Sequence, residues 1–385
     1  MIMPNLNGLH KRQAVEVLFL AGSVCLSGVL FVWAFNHLPI ENTSLGLDWQ
    51  IIWNGLHRGQ VVFGGTDGYV GGLFTPPWGI LFLMPLGFLS FRDSWGVISF
   101  ISIVILALCV PRTGKKRQNV LAIILLLVSF PALRNLADGN LEALVIGGIV
   151  LMMIGYNRTS PAAFSLGLLL ATIKFQETWL LCLFMLYLVY KNWRLAHQLQ
   201  MLGITGAVLA FSLLTWGGAW FSAVLIDKAN QVGKGSLIDI SISAALGRLG
   251  VSSVFIVFVW VGILGLTLLV LRRHRIKQMS WMSATFLVSA SMLLAPYASG
   301  NSFLTVVAIG IISLFQQRRR LGITLLILTS VPFLASRDML YYGQAYYWTF
   351  LLLVVWGTAG YFILTHEDDH DYAGALTPAQ GTQAT

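Results

Sequence analysis

Long apolar runs, each near the length of a bilayer-crossing helix and each closed by a short polar or basic stretch, set the rhythm of this chain. A bilayer core needs about 20 apolar residues per helix, within a range of roughly 17 to 25. Runs of this kind lie near 15–37, 94–111, 120–134, 140–156, 161–174, 176–190, 198–216, 250–271, 281–296, 302–316, 321–336 and 345–364. The pattern predicts an all-α polytopic membrane protein of about twelve transmembrane helices. The first run follows a basic "KR" but is too long for a signal peptide, and no small-x-small site follows, so an uncleaved first span is expected. The run at 76–90, "PPWGILFLMPLGFLS", is also apolar, but Pro85 and Gly87 interrupt it.

Charge decides how that interrupted run is placed. If 76–90 lies along or dips into the outer face without crossing, the loops on the N-terminal side hold Lys11, Arg12, "RTGKKR", Arg158, "KNWR", "RRHRIK" and "RRR". They carry 16 of the 24 Lys and Arg, while 10 of the 15 acids fall on the opposite side. A crossing at 76–90 would turn the basic loops outward, against the positive-inside bias. The expected topology has both termini cytoplasmic and two large outer segments, 38–93 and 217–249. Residues 1–364 then form one transmembrane domain, and 365–385 a polar, disordered cytoplasmic tail.

Composition narrows the function classes. Charged residues make up 10% of the chain, against about 25% in a soluble domain. The net charge of +9 does not point to nucleic acid, because the basic residues sit in short clusters between apolar runs. Cys25, Cys109 and Cys182 all lie within apolar runs and suggest neither a disulfide framework nor a metal site. His366 and His370 read as part of a solvated tail. The phosphate-cradling pattern GxxxxGK[ST] is absent, so neither nucleotide nor cofactor is expected.

The polar interval after the first run carries the candidate chemistry. In "LGLDWQIIWNGLHRG", Trp49, Ile52, Trp53 and Leu56 recur at i, i+3, i+4 and i+7, with Gln50, Asn54, His57 and Arg58 opposite. This predicts a helix over 48–58 lying in the interface, its tryptophans at headgroup depth. Asp48 falls at the helix start, where it reads as an N-cap worth about 1 kcal/mol. The glycines of "GGTDGYVGG" allow sharp turns, and Asp67 reads as a turn former.

An N-terminal span, an outer loop opening with an acid, then Pro76-Pro77 and a juxtamembrane segment resemble the GT-C class of membrane glycosyltransferases. More narrowly, they resemble the polyprenol-phosphate-mannose-dependent glycosyltransferase family 87. "ADGNLEALVIGGIVL" is similar to that family's Gly-Gln-x-Asn segment opening a helix, and "LGLLLATIKFQETWLL" to its Gly-rich helix ending in Lys-Pro. "LLAPYASGNSF" is similar to its Ser-Pro-aromatic segment. The chain departs from the pattern in three places: Phe175 follows Lys174, Asn140 follows Gly139, and Asn230-Gln231 only echo an Asn-Gln-Ser element.

The resemblance implies a GT-C-like bundle with juxtamembrane helices in the first outer loop. It also implies transfer of a sugar, mannose by analogy, from a polyprenyl-phosphate donor to a hydroxyl of a glycolipid, glycan or protein. The reaction would invert the anomeric carbon on the outer side of the bilayer. Asp48 becomes the candidate general base, since a carboxylate at headgroup height can deprotonate or orient the acceptor. The donor phosphate calls for cations. Lys174 ends an apolar span, where a lone charge is costly and functional, although an i, i+3 pair with Glu177 explains it equally well. Glu142, one turn into a span, needs Arg134 or Lys174 as partner. Asn140 fits a sugar hydroxyl or a helix cap, and Asp138 a cap. Arg248 ends the possible amphipathic helix "IDISISAALGR" beside the headgroups. Tyr297 is an outer-edge aromatic, and His57 and Arg58 lie on the polar face of the loop helix. A transporter or flippase would need ionisable residues near mid-membrane, whereas charges here sit at span ends. An O-antigen ligase-like enzyme would use a late outer loop with Arg and His, and 217–249 has no histidine.

Overall fold

The computed structural model describes residues 6–38, 45–57, 75–222, 239–274, 278–334 and 344–365. Among them the chain is all-α, and its only extended pairing is one isolated antiparallel bridge between Asp239 and Ser299. The first half comprises α1 (Leu6–Asn36), α2 (Leu47–His57), α3 (Pro77–Leu83), α4 (Phe91–Cys109), α5 (Lys116–Leu127) and α6 (Phe130–Asp138). There follow α7 (Glu142–Asn157), α8 (Pro161–Ala171), α9 (Phe175–Asn192), α10 (Leu195–Trp216) and the short turn α11 (Ala219–Ser222). The late part holds α12 (Ile242–Arg248), α13 (Ser253–His274), α14 (Trp281–Leu293), α15 (Phe303–Val306), α16 (Ile312–Gln317), α17 (Arg319–Leu334) and α18 (Gln344–Thr365). A π-helical turn, Val307–Ile311, joins α15 to α16.

Every apolar run folds as helix, but their lengths differ from a uniform set of twelve crossings. Among the described residues, by length and composition, six helical runs can cross a membrane, or seven if α5 and α6 count as one bent span. The expected span at 120–134 is broken, with a 53° bend between α5 and α6. Pro131, in the first turn of α6, explains the break, because it lacks an N–H and its ring excludes the carbonyl four residues back. The run Pro161–Asn192 is continuous in helical residues yet doubles back on itself. Asn192 at its far end donates to the Tyr156 hydroxyl (2.7 Å), and Trp193 stands 5.4 Å from Phe164 in the first turn of α8. The 3-10 turn Thr172–Lys174 is the hinge. The interrupted run 76–90 forms α3 and a 3-10 turn, Met84–Phe88, about 20 Å in all, short of the hydrocarbon thickness. Its start meets Trp220, its end packs on α2 through Gly87 and Leu56, and α4 begins just beyond.

Helix directions give the bundle two poles. At one, Gln118 of α5 bonds the Gln316 carbonyl of α16, Asn157 of α7 bonds Met279 before α14, and Asn192 meets Tyr156. Lys116, Arg117, Arg158, Lys191 and Arg318 cluster at this basic pole by their places in these helices. At the other pole lie α2, α6 and the starts of α7, α9 and α15. The middle is apolar: all of α14 is buried, and α7 and the α15–α16 run nearly so. Around it, α1, α10 and α13 expose large apolar side chains, among them Val29, Leu214 and Phe258. In water such a surface would be untenable, so it is a lipid-facing belt.

Small residues let the central helices touch backbone to backbone. A Cβ on Gly148 would lie 2.3 Å from the Ala171 nitrogen, and one on Gly167 2.3 Å from the Met152 nitrogen. The α7–α8 hairpin is therefore packed as membrane helices are, through glycines rather than interdigitated large side chains. Gly167→Ala is expected to cost about 1–3 kcal/mol through overpacking and to lower the thermal midpoint in detergent. Gly203→Ala, on α10 with nothing within 4 Å, should leave it unchanged. Equal midpoints for the two variants would contradict the close approach.

Candidate active site

Asp48 does not cap its helix. Gly46, at φ +74°, occupies the cap position: its carbonyl accepts from Gln50 N (2.8 Å), and its own N–H donates to Ala137 O (2.7 Å). Asp48 therefore sits in the first turn of α2, with its side chain free for other contacts. The apolar face of α2 is turned into the protein and not toward headgroups as expected. Trp49 is fully buried and donates to Ser94 Oγ (2.9 Å), Ile52 is buried, and Trp53 donates to Leu89 O (3.0 Å). Gly139 fixes the approach of the next wall. It lies at φ +67°, and a Cβ there would fall 2.4 Å from the Trp49 Cβ. Only glycine meets both demands.

That left-handed glycine ends α6 and releases Asn140 into the space beside Asp48. Asn140 Nδ2 donates to Asp48 Oδ2 (2.7 Å), while its Oδ1 accepts from Lys174 Nζ (2.8 Å). Because Lys174 can only donate, the Asn140 amide must present its NH2 to the carboxylate. Lys174 also hydrogen-bonds Glu142 and lies 3.7 Å from Glu177 Oε1. Three acceptors thus surround an ammonium with three N–H groups. Glu142 further accepts from Thr305 Oγ1 (3.0 Å), and Glu177 from Ser302 Oγ. From the same late turn, Asn301 Nδ2 reaches Asp138 Oδ2 (3.3 Å) and Asp48 Oδ2 (3.5 Å). Arg134 pairs with Asp138 at 3.3 Å, one turn apart on α6, and remains 40% exposed.

Four sequence-distant elements therefore converge: the start of α2, the α6–α7 turn, the α8–α9 hinge and the turn before α15. Of the nine residues singled out from the sequence, Asp48, Asn140, Glu142 and Lys174 are linked by direct bonds, and Arg134 joins them through Asp138 and Asn301. Lys174 pairs with both Glu142 and Glu177, so the two partners foreseen separately act together. Asn140 bonds two side chains and is not a cap, and Asp138 ends α6 rather than capping α7, whose cap position is Leu141. Tyr297 borders the cluster. Burial raises its hydroxyl to about 12, and the charges of Asp239, Asp48 and Glu177 add to that shift. Arg248 is further off: its Nη2 donates to Asp239 O (2.8 Å), and it lies 5.9 Å from the Tyr346 ring centre. His57 is about 13 Å farther along α2, where it stacks on Trp53 and bonds Gly87 O at 2.9 Å. Arg58, Asp67, Asn230 and Gln231 lie outside the described residues.

Sequence reasoning missed Asn301, Ser302 and Thr305. Their signal was present in "GNSFLT", three hydrogen-bonding side chains at the mouth of an apolar run. Asp239 was also passed over. Its Oδ1 accepts from the backbone of Ser241 (2.9 Å) and Ala298 (3.1 Å), which holds the segment directly after Tyr297 in place. Burial raises the Asp239 carboxyl above its ordinary range.

Asp48 is raised as well. Burial is the largest cause and Asp138 adds to it, while Lys174, Asn140 and Arg134 pull it down. Asn140 and Asn301 both engage Oδ2, and Oδ1 has no partner among the described residues. The arrangement presents one oxygen of a fixed, partly desolvated carboxylate, with a half-exposed guanidinium nearby. It can take a proton from a hydroxyl and hold an anion beside it.

An all-α membrane bundle with a carboxylate site at one pole is the class that fold and site define. The sequence model of glycosyltransferase family 87 matches residues 74–299, more than half of the chain. The chain belongs to this family and is a glycosyltransferase. The matched stretch contains Arg134, Asp138, Asn140, Glu142, Lys174, Glu177 and Arg248, whereas Asp48 and Asn301 fall outside it. No curated protein and no solved structure matches the chain.

Removing Lys174 strands two buried carboxylates. Breaking a buried pair in this way costs about 3–5 kcal/mol, so Lys174→Met should lower the thermal midpoint strongly. Lys174→Met combined with Glu142→Gln and Glu177→Gln should recover part of the loss. A triple variant no more stable than Lys174→Met alone would show that the ion cluster does not carry this stability.

Proposed function

We propose that the chain transfers a hexosyl group, mannosyl in the reading favoured here, from a polyprenyl-phosphate donor to an acceptor hydroxyl at the outer membrane face. The observation that carries this reading is the Asp48 carboxylate, with Oδ2 held by Asn140 and Oδ1 without a partner among the described residues. In the proposed step Oδ1 removes the acceptor proton while the hydroxyl oxygen attacks the anomeric carbon. The bond to the lipid phosphate breaks on the opposite face, and the phosphate leaves with the electron pair. This single displacement inverts the anomeric centre.

Arg134 is the proposed partner of the donor phosphate. It belongs to the cluster and is half exposed. Lys174, the earlier candidate, already donates to Asn140 and Glu142 and lies 3.7 Å from Glu177, so it is less available to a phosphate than Arg134. Its proposed role is positional: it orients Asn140, which orients Asp48. Glu142 is fully buried and serves Lys174 rather than substrate. Tyr297 is proposed to line the sugar side of the site, with Arg248 supporting that wall through Asp239. The outward assignment rests on the basic pole lying at the far ends of α7, α9 and α16, which the positive-inside bias places in the cytoplasm. The twelve crossings and the cytoplasmic termini belong to the same proposal.

In membranes supplied with polyprenyl-phosphate mannose, Asp48→Asn should lower kcat by about 10²–10⁴-fold, the range of general-base catalysis, with the thermal midpoint kept. Full transfer by well-folded Asp48→Asn and Asp48→Ala would refute the base assignment. Arg134→Gln should raise the donor KM more than it lowers kcat.

The pH profile offers an independent check. Only ionised Asp48 can accept a proton, and burial raises its pKa. Activity should therefore climb with pH along an acid limb centred above the ordinary aspartate range and then level off. An acid limb at the usual aspartate position would contradict the buried setting.

A further inference from the structure

The basic pole holds a second feature, unrelated to the Asp48 cluster and about 24 Å from it along the α15–α16 run. Between α16 and α17 the chain reverses at Arg318, which leaves helical geometry at φ −132° and ψ 78°. Gly322 makes the reversal possible, since a Cβ there would fall 2.2 Å from the Phe315 Cα. Arg318 O accepts from Gly322 N (3.0 Å), and Arg318 N donates to Leu314 O (2.6 Å), so the turn is tied at both ends. Three consecutive arginines, Arg318, Arg319 and Arg320, are thereby held on a short rigid corner, all of them exposed.

The corner faces the last turns of α18 across a cavity of about 960 Å³, walled on the far side by Gly357, Thr358 and Tyr361. Gly357 opens this wall, for nothing lies within 4 Å of where its Cβ would be. Among the described residues no carboxylate pairs with any of the three arginines. Tyr361 is 63% exposed on the same helix as the lipid-facing Phe350, which sets the cavity at the edge of the apolar belt. A positively charged topology signal needs only solvated side chains. Here the guanidinium forks border a chamber whose lining combines them with the apolar Leu321 and Phe362.

We propose that this cavity binds the phosphate headgroup of an anionic membrane lipid. Arg318–Arg320 supply donors for the phosphate oxygens, Thr358 and Tyr361 flank the headgroup, and the acyl chains run along α18. Guanidinium groups match phosphate geometry by paired donation, and basic pockets between helices at the cytoplasmic interface suit such headgroups. The site stands whether or not Asp48 is the catalytic base.

The test uses the full chain, delipidated in detergent, titrated with phosphatidylglycerol and read by native mass spectrometry as tightly retained lipid. Wild type should retain phosphatidylglycerol at least tenfold better than the R318Q/R319Q/R320Q variant, and should not retain phosphatidylcholine. Gly357→Phe leaves every charge in place and fills the open wall, so it too should lose at least tenfold. Retention by Gly357→Phe equal to wild type would overturn the proposal, as would equal retention of phosphatidylcholine. Displacement of the lipid by millimolar inorganic phosphate would identify a site for a soluble anion instead. The tail acids Glu367, Asp368, Asp369 and Asp371 follow α18 closely in sequence. Their neutralisation to Gln and Asn should leave retention unchanged. Binding seen only in that neutralised chain would make the tail, not a lipid, the occupant.

Discussion

The ammonium of Lys174 between Glu142 and Glu177 is the contact on which the functional pole is built. A lone charge in the interior of a membrane bundle is costly, and each of these three is tolerable only because of the other two. Satisfying them forces the α8–α9 hinge against the start of α7. Thr305 and Ser302 then pin the turn before α15 to the same carboxylates. With three helical junctions fixed, Asn140 has one orientation left to it, and Asp48 receives a defined neighbour. The chemistry at the mouth is thus inherited from a charge balance one layer below. Burial raises the Asp48 carboxyl and Asp138 adds to it, while Lys174, Asn140 and Arg134 draw it back.

Much of the site was legible in the sequence one residue at a time. Asp48 at the start of an amphipathic stretch, Lys174 at the end of an apolar run and Glu142 just inside one are each conspicuous, because charge is rare in such a chain. Their connections were not legible. Asn140 and Asp48 are 92 positions apart, and Asn301 and Asp48 are 253 apart. Contacts of that range depend on how helices pack, and helical periodicity says nothing of which faces meet. The same limit explains Trp49. Its spacing marks an apolar face, but lipid and protein interior are both apolar, so the pattern could not choose between headgroup depth and burial against Ser94.

Helix existence was read well, and helix continuity less so. Apolar length signals a helix but is blind to what interrupts it. Pro131 breaks the run at 120–134, and its effect was available in the sequence. The break matters, since it tilts α6 across the bundle end and brings Arg134 and Asp138 to the site. The hinge at Thr172–Lys174 has no proline or glycine to announce it. Its cause is tertiary: the Lys174 side chain is drawn to Glu142 and Glu177, and the backbone follows. Phe175 follows the lysine directly, and the corner coincides with the ion cluster of Lys174, Glu142 and Glu177.

The two poles divide the work by the kind of charge they expose. At the Asp48 pole the basic residues are largely consumed internally: Lys174 by its acids, Arg134 in part by Asp138, Arg248 by the Asp239 carbonyl. At the opposite pole Arg318, Arg319 and Arg320 stand exposed without a described acidic partner. A lipid phosphate approaching the first pole therefore meets few available donors, and they are placed. One approaching the second meets many. That contrast fits the two proposals made above, a reacting lipid phosphate at the first pole and a retained anionic lipid at the second.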